Sequence, residues 1–182
     1  MNIHVKEQYY IKIDEKDYNN LIKYISKLSP KSDPLKWQLT FNTSDKKRLY
    51  YASKTIGGRS GKKWKMHRLI MQLRKVNIDG YEIDHINGDT LDNRFSNLRI
   101  ATSGQNKTNR DVRSDSKSGF KGVEFQKQNK NWCAYICHDG KKRHLGVFDT
   151  ADDAAIAYNE AAIDRWGPYA RLNIVRKPTK VL

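Results

Sequence analysis

The segment from Asn109 to Gly119 constrains the fold most, because Val112 is the only apolar residue among its eleven. A stretch with so little to bury is typical of a linker between folded units. Apolar patterns of helical and extended type occur on both sides of it. We therefore predict an N-terminal unit at 1–108, a linker at 109–117, a C-terminal unit at 118–174 and a basic tail at 175–182.

The N-terminal pattern indicates mixed helix and strand structure. Alternating residues at 9–13 predict a strand, and apolar residues from Tyr18 to Leu28 recur at helical spacing. Two further strands are predicted between Leu35 and Ala52 around a polar turn at 42–45. A strand that runs into a short helix is predicted at 64–71.

The C-terminal pattern predicts three strands followed by one helix, which makes the whole chain an α+β protein. The strands are predicted at 120–125, 132–138 and 143–148, and the helix begins after Thr150 and ends at Gly167. Alternation predicts that one face of this antiparallel sheet packs on the helix through Trp132, Ala134 and Ile136. The opposite face is predicted to hold Gly122, Glu124, Gln126, Cys133, Tyr135, Cys137, Lys142 and His144.

The charge balance indicates a polyanionic partner. The chain has 182 residues with 35 Lys and Arg against 20 Asp and Glu, a formal net charge of +15, which favours nucleic acid. Its mean hydropathy is −0.86, and no apolar run approaches the roughly 20 residues that span a bilayer. The first residues lack a secretory signal, and two cysteines complete neither a disulfide framework nor a zinc site. These observations predict a soluble intracellular protein.

An acid-rich loop interrupts this basic chain at residues 82–99, where Asp84, Asp89 and Asp92 cluster. Acids weaken attraction to a nucleic acid, so a bound divalent cation is a natural reason for them. A calcium loop of the EF-hand kind is excluded, because counting from Asp84 puts Ile86 and Phe95 where oxygen ligands are required.

The spacing around Asp84 suits magnesium chemistry instead. Asn97 follows thirteen residues after Asp84, and Asn106 follows nine residues later. Carboxylate and amide oxygens are hard ligands suited to Mg²⁺, and a neighbouring histidine such as His85 can take a proton from a water that attacks phosphorus. In an extended strand Asp84 and His85 point to opposite sides, so one can hold metal while the other faces the water.

This segment resembles the HNH homing endonucleases of the phage and intron-encoded type. The resemblance implies a ββα-metal finger that grips one divalent ion in the DNA minor groove, with Asp84 and Asn106 as metal ligands and His85 as general base. It implies that the Asn97 side chain ties the two strands of the finger together, while His67 is expected to have a packed structural role. The matching residues are His67-Arg68-Leu69, Asp84 to Asp89, Asp92-Asn93-Arg94, Asn97-Leu98-Arg99, Ala101-Thr102 and Gln105-Asn106.

The C-terminal unit resembles the APETALA2-type DNA-binding domain of plant transcription factors. The resemblance implies a three-stranded sheet that lies in the major groove with its helix behind. The outer face here carries fewer Arg and Trp than that family does, which leaves the sequence preference open. The matching residues are Ser118 to Val123, Trp132 to Ile136, Leu145 to Ala155, Ala157 to Ala162, Gly167 and Leu172-Asn173.

DNA contacts are predicted from charge and position. Phosphate contacts position a protein without specifying bases, and each lysine has a solvated surface as its alternative. Arg94 and Arg99 could equally pair with the local acids. The predicted DNA-binding residues are Arg94, Arg99, Lys107, Arg110, Arg113, Lys121, Gln126, Lys127, Tyr135, Lys142, Arg143 and His144.

These observations predict a site-preferring DNA endonuclease that uses one divalent cation, Mg²⁺ with Mn²⁺ left open, and a histidine general base. We expect double-stranded DNA as its partner and no association with a membrane. One metal site per chain favours a monomer, and a dimer stays open. We expect it at DNA in the cytoplasm of a bacterial or phage-infected cell. One rival is a non-catalytic sequence-specific DNA-binding regulator. Another, an RNA-binding or ribosomal protein, explains the charge but not the acidic loop.

Overall fold

A computed structural model describes residues 1–6, 8–41, 49–57, 61–109, 112, 115–138 and 140–175. Contacts divide the chain into two compact units, Met1–Ser103 and Gly104–Leu182. The predicted turn at 42–45, part of the predicted linker and nearly all of the predicted tail lie outside the described residues. No helix within the described ranges is long and apolar enough to cross a membrane.

The first unit mixes short antiparallel sheets with two helices, as predicted. Strands β1 and β2 pair, β4 lies between β3 and β5, and β6 pairs with β7. In chain order its elements are β1 (Asn2–Lys6), β2 (Tyr9–Lys12), α1 (Glu15–Leu28), β3 (Gln38–Phe41), β4 (Tyr50–Ile56), β5 (Lys62–Lys65), α2 (Met66–Leu73), β6 (Glu82–His85) and β7 (Leu98–Ala101). The short helix α3 (Ser103–Thr108) follows at the boundary, and all of it except Ser103 belongs to the second unit.

The core of this unit forms where the helices meet the sheets. The apolar face of α1 buries Leu21 and Ile25, because helical spacing brings residues four apart onto one side. Met66, Leu69, Ile70 and Met71 of α2 pack in the same core. A buried ion pair also joins the helices: Nε and Nη2 of Arg74 donate to Asp17 at 2.7 and 3.0 Å.

The second unit is a three-stranded antiparallel sheet packed on one helix, as predicted. Strands β8 (Val123–Gln126), β9 (Asn131–His138) and β10 (Lys141–Phe148) lie in the order β10-β9-β8, and α4 (Ala151–Trp166) covers one face. The backbone N–H of Asp153 donates to the hydroxyl of Thr150 at 3.1 Å and caps the helix. Buried small residues of α4 let it lie close upon the sheet.

The two faces of the C-terminal sheet follow the predicted alternation with two differences. Ala134 and Ile136 pack on α4, and Tyr135 and His144 lie together on the other face. The prediction for Gly122 is wrong, because a side chain there would meet the ring of Tyr158 on α4. Cys133 is fully buried, although alternation places it on the face away from the helix.

We predict that Gly122→Ala destabilises the protein by about 3 kcal/mol or more. Gly122 has a φ of +74°, which costs a residue with a Cβ about 1–2 kcal/mol, and the added methyl would also collide with Tyr158. Gly119 has a similar φ of +71° with open space around it, so Gly119→Ala should show only the backbone cost. Denaturant unfolding of both variants tests this, and equal losses would contradict a close packing role for Gly122.

Candidate active site

The predicted catalytic residues lie on the antiparallel hairpin of β6 and β7. Asp84 stands opposite Arg99 in the register, and His85 stands opposite Leu98. The apolar residues Ile83 and Leu98 are buried in the core of the first unit, which fixes the hairpin against it. Asp84 and His85 are both only 4% exposed, so this strand buries two ionisable side chains.

Asn97 organises the loop that joins these strands. Its amide oxygen accepts the backbone N–H of Asn87 at 3.0 Å. Its amide nitrogen donates to the side-chain oxygen of Asn87 at 3.0 Å and to the carbonyl of Asp92 at 2.8 Å. The backbone of Asn97 also accepts the N–H of Ile86 at 2.9 Å. One side chain at the start of β7 therefore holds both ends of the loop.

The N-terminal segment braces the same loop from outside. The backbone of Lys12 donates to the carbonyl of Leu91 at 2.9 Å and accepts the N–H of Asn93 at 2.8 Å. The carboxylate of Asp14 accepts the N–H of Phe95 at 2.8 Å. The loop therefore depends on residues that lie about 80 positions earlier in the chain.

Both arginines of the motif pair with local carboxylates, which is one of the two alternatives left open by the sequence. Nε and Nη2 of Arg99 lie 2.7 and 2.6 Å from Oδ2 of Asp84. Arg94 makes a bidentate pair with Asp92, at 2.8 and 2.6 Å. Arg99 is mostly covered, whereas half of the Arg94 side chain is exposed. A DNA contact by either arginine remains a prediction.

Two aromatic rings, those of His67 and Tyr51, lie beside the predicted general base His85. The His85 and His67 rings meet edge to face with centroids 5.1 Å apart, and the Tyr51 ring lies 5.7 Å from His67 and 6.3 Å from His85. The Lys65 ammonium lies 4.6 Å from the centre of the Tyr51 ring. In addition, Nε2 of His85 lies 3.5 Å from the amide oxygen of Asn93.

Burial lowers the pKa of both His67 and His85. Burial lowers the pKa of His85, while Asn93 and the carboxylates of Asp84, Asp89 and Asp92 act in the opposite direction. The pKa of His67 is lowered well below its ordinary value by burial and then by the neighbouring positive groups, His85 first. The lowered pKa values favour the neutral form of both imidazoles, which is the form that a base must have to accept a proton.

The predicted metal ligands contain one carboxylate and one amide. Asp84 lies in β6, and Asn106 lies in α3 together with Lys107. Among the described residues no group of three His, Cys, Asp or Glu could hold a metal ion. Asp84 and Asn106 as metal ligands therefore stay a prediction.

The predicted DNA contacts of the second unit lie at several places. Lys142 pairs with Glu124 at 2.7 Å and lies 3.8 Å from the centre of the Tyr135 ring, beside His144. Gln126 ends β8, Lys127 follows it in the turn, and the Lys121 ammonium donates to the carbonyl of Thr108. Arg143 stands opposite Ile136 and lies on the helix side of the sheet. Arg110 and Arg113 lie outside the described residues.

Several residues that shape the site were not expected from the sequence. Tyr51 belongs to β4, and no local pattern places it beside His85. Lys12 and Asp14 likewise act across the fold. Asn93 was given no role beside His85, although its place in the Asp-Asn-Arg sequence of the motif was a signal that could have marked it.

Residues 65–108, which include both Asp84 and Asn106, match the family model described as HNH endonuclease. Protein 3.8 of Escherichia phage T7 is 32% identical over 79 residues, which cover 43% of this chain and 65% of that protein. A protein of Acanthamoeba polyphaga mimivirus named as an HNH endonuclease is 34% identical over 114 residues, covering 61% of this chain and 58% of the viral protein. The chain thus spans less than two thirds of these relatives.

The C-terminal region matches plant transcription factors. APETALA2-like protein 2 of Oryza sativa subsp. indica is 45% identical over 67 residues, covering 37% of this chain and 15% of the plant protein. An AP2-like ethylene-responsive transcription factor of Arabidopsis thaliana is 42% identical over 69 residues, which cover 38% of this chain and 14% of the plant protein.

No solved structure matches the chain. The assignment therefore rests on the family match at residues 65–108, on the C-terminal sequence matches and on the hairpin that carries Asp84 and His85. The family match contains this hairpin and α3, while the C-terminal matches agree with a sheet of three strands packed on one helix. The chain thus contains an HNH endonuclease domain at residues 65–108, followed by a C-terminal region related to the AP2 domains of plant transcription factors.

Proposed function

We propose that the protein is a site-preferring DNA endonuclease that hydrolyses phosphodiester bonds with one divalent cation and His85 as general base. The observation that carries this proposal is the buried imidazole of His85, next to Asp84 within the range that matches the HNH family. A neutral histidine beside a carboxylate is the pair that metal-assisted hydrolysis of a phosphodiester requires.

His85 takes the proton of the attacking water in this mechanism. The imidazole accepts it readily only if the resulting positive charge is stabilised, and the carboxylates of Asp84, Asp89 and Asp92 raise the pKa of His85 against the effect of burial. The imidazole contacts the amide oxygen of Asn93 at 3.5 Å and meets the His67 ring edge to face. These contacts support an orientation in which the base is held ready for the water.

Asp84 and Asn106 would hold the cation, with Mg²⁺ proposed and Mn²⁺ as the other candidate. Their carboxylate and amide oxygens are the hard donors that these ions prefer, and both residues lie in the HNH match. The bound cation would supply stabilisation of the charge that develops on phosphate and on the leaving oxygen. Arg99 donates to Oδ2 of Asp84 and holds this carboxylate in place.

Double-stranded DNA is the proposed substrate, met in the cytoplasm of a bacterial or phage-infected cell. The outer face of the C-terminal sheet, with Tyr135, Lys142 and His144, is proposed to lie against the duplex and to set the site preference. The half-exposed Arg94 is proposed to reach a phosphate close to the cleaved bond. The net charge of +15 supplies the general attraction to the backbone.

We predict that His85→Ala abolishes cleavage and leaves DNA binding within about twofold, because loss of a general base costs roughly 10²–10⁴ in rate without removing a phosphate contact. Supercoiled plasmid incubated with Mg²⁺, with Mn²⁺ and with EDTA measures cleavage, and gel shift measures binding. The exposed His4 provides the control, so His4→Ala should cut normally. Cutting by His85→Ala would refute the general-base role, and a wild type that binds but never cuts would indicate the regulator instead.

We predict that the free energy of unfolding falls as the pH drops from about 6.5 to about 5. The folded pKa values of His67 and His85 are depressed, so below the unfolded value of about 6.5 the unfolded chain takes up protons that the folded chain refuses. Each histidine contributes at most about 1.4 kcal/mol per pH unit in this range. His67→Gln should give a shallower dependence than His4→Gln; parallel curves would contradict the prediction.

We predict that the double variant Tyr135→Ala, His144→Ala loses discrimination between preferred and other DNA sites by about tenfold or more. Base contacts supply discrimination, and a good one contributes roughly 1–3 kcal/mol. The cleavage rate on non-preferred DNA should stay nearly constant, because the HNH domain is untouched. Ile174→Ala, at a residue 90% exposed in the same unit, is the control. Unchanged discrimination would remove the reading role from this face.

A further inference from the structure

A groove of about 540 Å³ lies on the helix side of the C-terminal sheet, away from the face proposed for DNA. Its floor is apolar, because Ile136 and Leu145 of the sheet meet Ala161 of α4 there. Three cations stand around this floor, together with one acid. The polar lining residues are His138, Lys141, Arg143, Asp164 and Arg165.

The strand register explains why these cations do not point toward the DNA face. Arg143 stands opposite Ile136, whose side chain packs on the helix, whereas its neighbour Lys142 points to the other face and pairs with Glu124. No carboxylate among the described residues forms an ion pair with Arg143 or Arg165. The positive charge of this groove is therefore available to another molecule.

The helix beside the groove carries the opposite charge on an exposed apolar stripe. Asp152, Ile156, Glu160 and Ile163 follow one another at spacings of four, four and three residues, which places them on one side of α4. Ile156 is 37% exposed and Ile163 is 50% exposed. This acidic apolar stripe, as we call these four residues, is not covered by the sheet.

We propose that the groove and the acidic apolar stripe bind each other between two copies of this chain, with the two α4 helices antiparallel. The basic end of one helix then meets the acidic beginning of the other, and a two-fold axis makes both contacts at once. Ile156 and Ile163 of each copy then lie on the apolar floor of the other copy's groove and leave water. Duplex DNA fits this surface less well, since it offers phosphates but no apolar face that would cover the isoleucines.

The pairing has a consequence for cleavage that rests on the proposed function. A dimer carries two HNH domains, so it can cut both strands, whereas a monomer with one site nicks one strand. Self-association itself needs neither DNA nor metal. A failed association test would therefore overturn the dimer and leave the proposed nuclease activity intact.

Two charge-reversal variants of the full chain test the pairing by sedimentation equilibrium. The first carries Arg143→Glu and Arg165→Glu, and the second carries Asp152→Lys and Glu160→Lys. Each alone should dimerise at least about tenfold more weakly than the wild type, because like charges now face each other. An equimolar mixture should regain the wild-type affinity, since the reversed groove meets the reversed stripe and the native groove meets the native stripe.

An apolar pair provides the matched control. Ile163→Glu should weaken association, whereas Ile174→Glu, at an exposed isoleucine outside the stripe, should not. Circular dichroism of every variant verifies that the fold is kept. The proposal is overturned if the wild type stays monomeric over a 100-fold range of protein concentration. It is also overturned if the equimolar mixture does not regain the wild-type dimerisation affinity. Lost DNA affinity in Arg143→Glu, Arg165→Glu with unchanged association would also overturn it and assign the groove to DNA.

Discussion

The ion pair between the buried carboxylate of Asp92 and Arg94 is the interaction on which the HNH hairpin depends. The Asp92 side chain is fully buried, and it is stabilised there by the bidentate contact from Arg94 and by the amide of Asn87 at 3.0 Å. These hydrogen bonds lower the pKa of Asp92, Arg94 contributing most. A buried charge that lost its partner would cost several kcal/mol, so the loop has few alternative shapes. The carbonyl of Asp92 accepts a hydrogen bond from the Asn97 side chain. This contact fixes the start of β7, which pairs with the strand that carries Asp84 and His85.

The functional hairpin also shows that the site is larger than the family match. The match begins at residue 65, yet Lys12 and Asp14 hold the loop, and Tyr51 lies against both histidines. A short hairpin cannot bury two ionisable residues alone, because it lacks the apolar surface to exclude water. The N-terminal strands and α2 supply that surface, and the depressed pKa values of His67 and His85 result from it.

Much of the secondary structure could be predicted from local patterns, since strand alternation and helical spacing depend on residues close in sequence. The helix face of Leu21 and Ile25 and the sheet-and-helix order of the second unit are examples. Gly122 shows the limit. Its positive φ turns the chain just before β8, so counting alternate residues put it on the wrong face. Arg143 was predicted from its charge alone to bind DNA, but the register places it on the helix side.

The sequence alone predicted the chemistry of the site, because Asp84, His85, Asn97 and Asn106 occur at the spacings of an HNH motif. The folded structure decided how the motif charges are used: Arg99 pairs with Asp84, and Arg94 pairs with Asp92. It also decided that His85 is buried against His67 and Tyr51, which lowers the pKa of its imidazole. The reason is physical. Spacing specifies which donors a hairpin presents, whereas burial and ion pairing arise from residues far apart in the chain that only packing brings together.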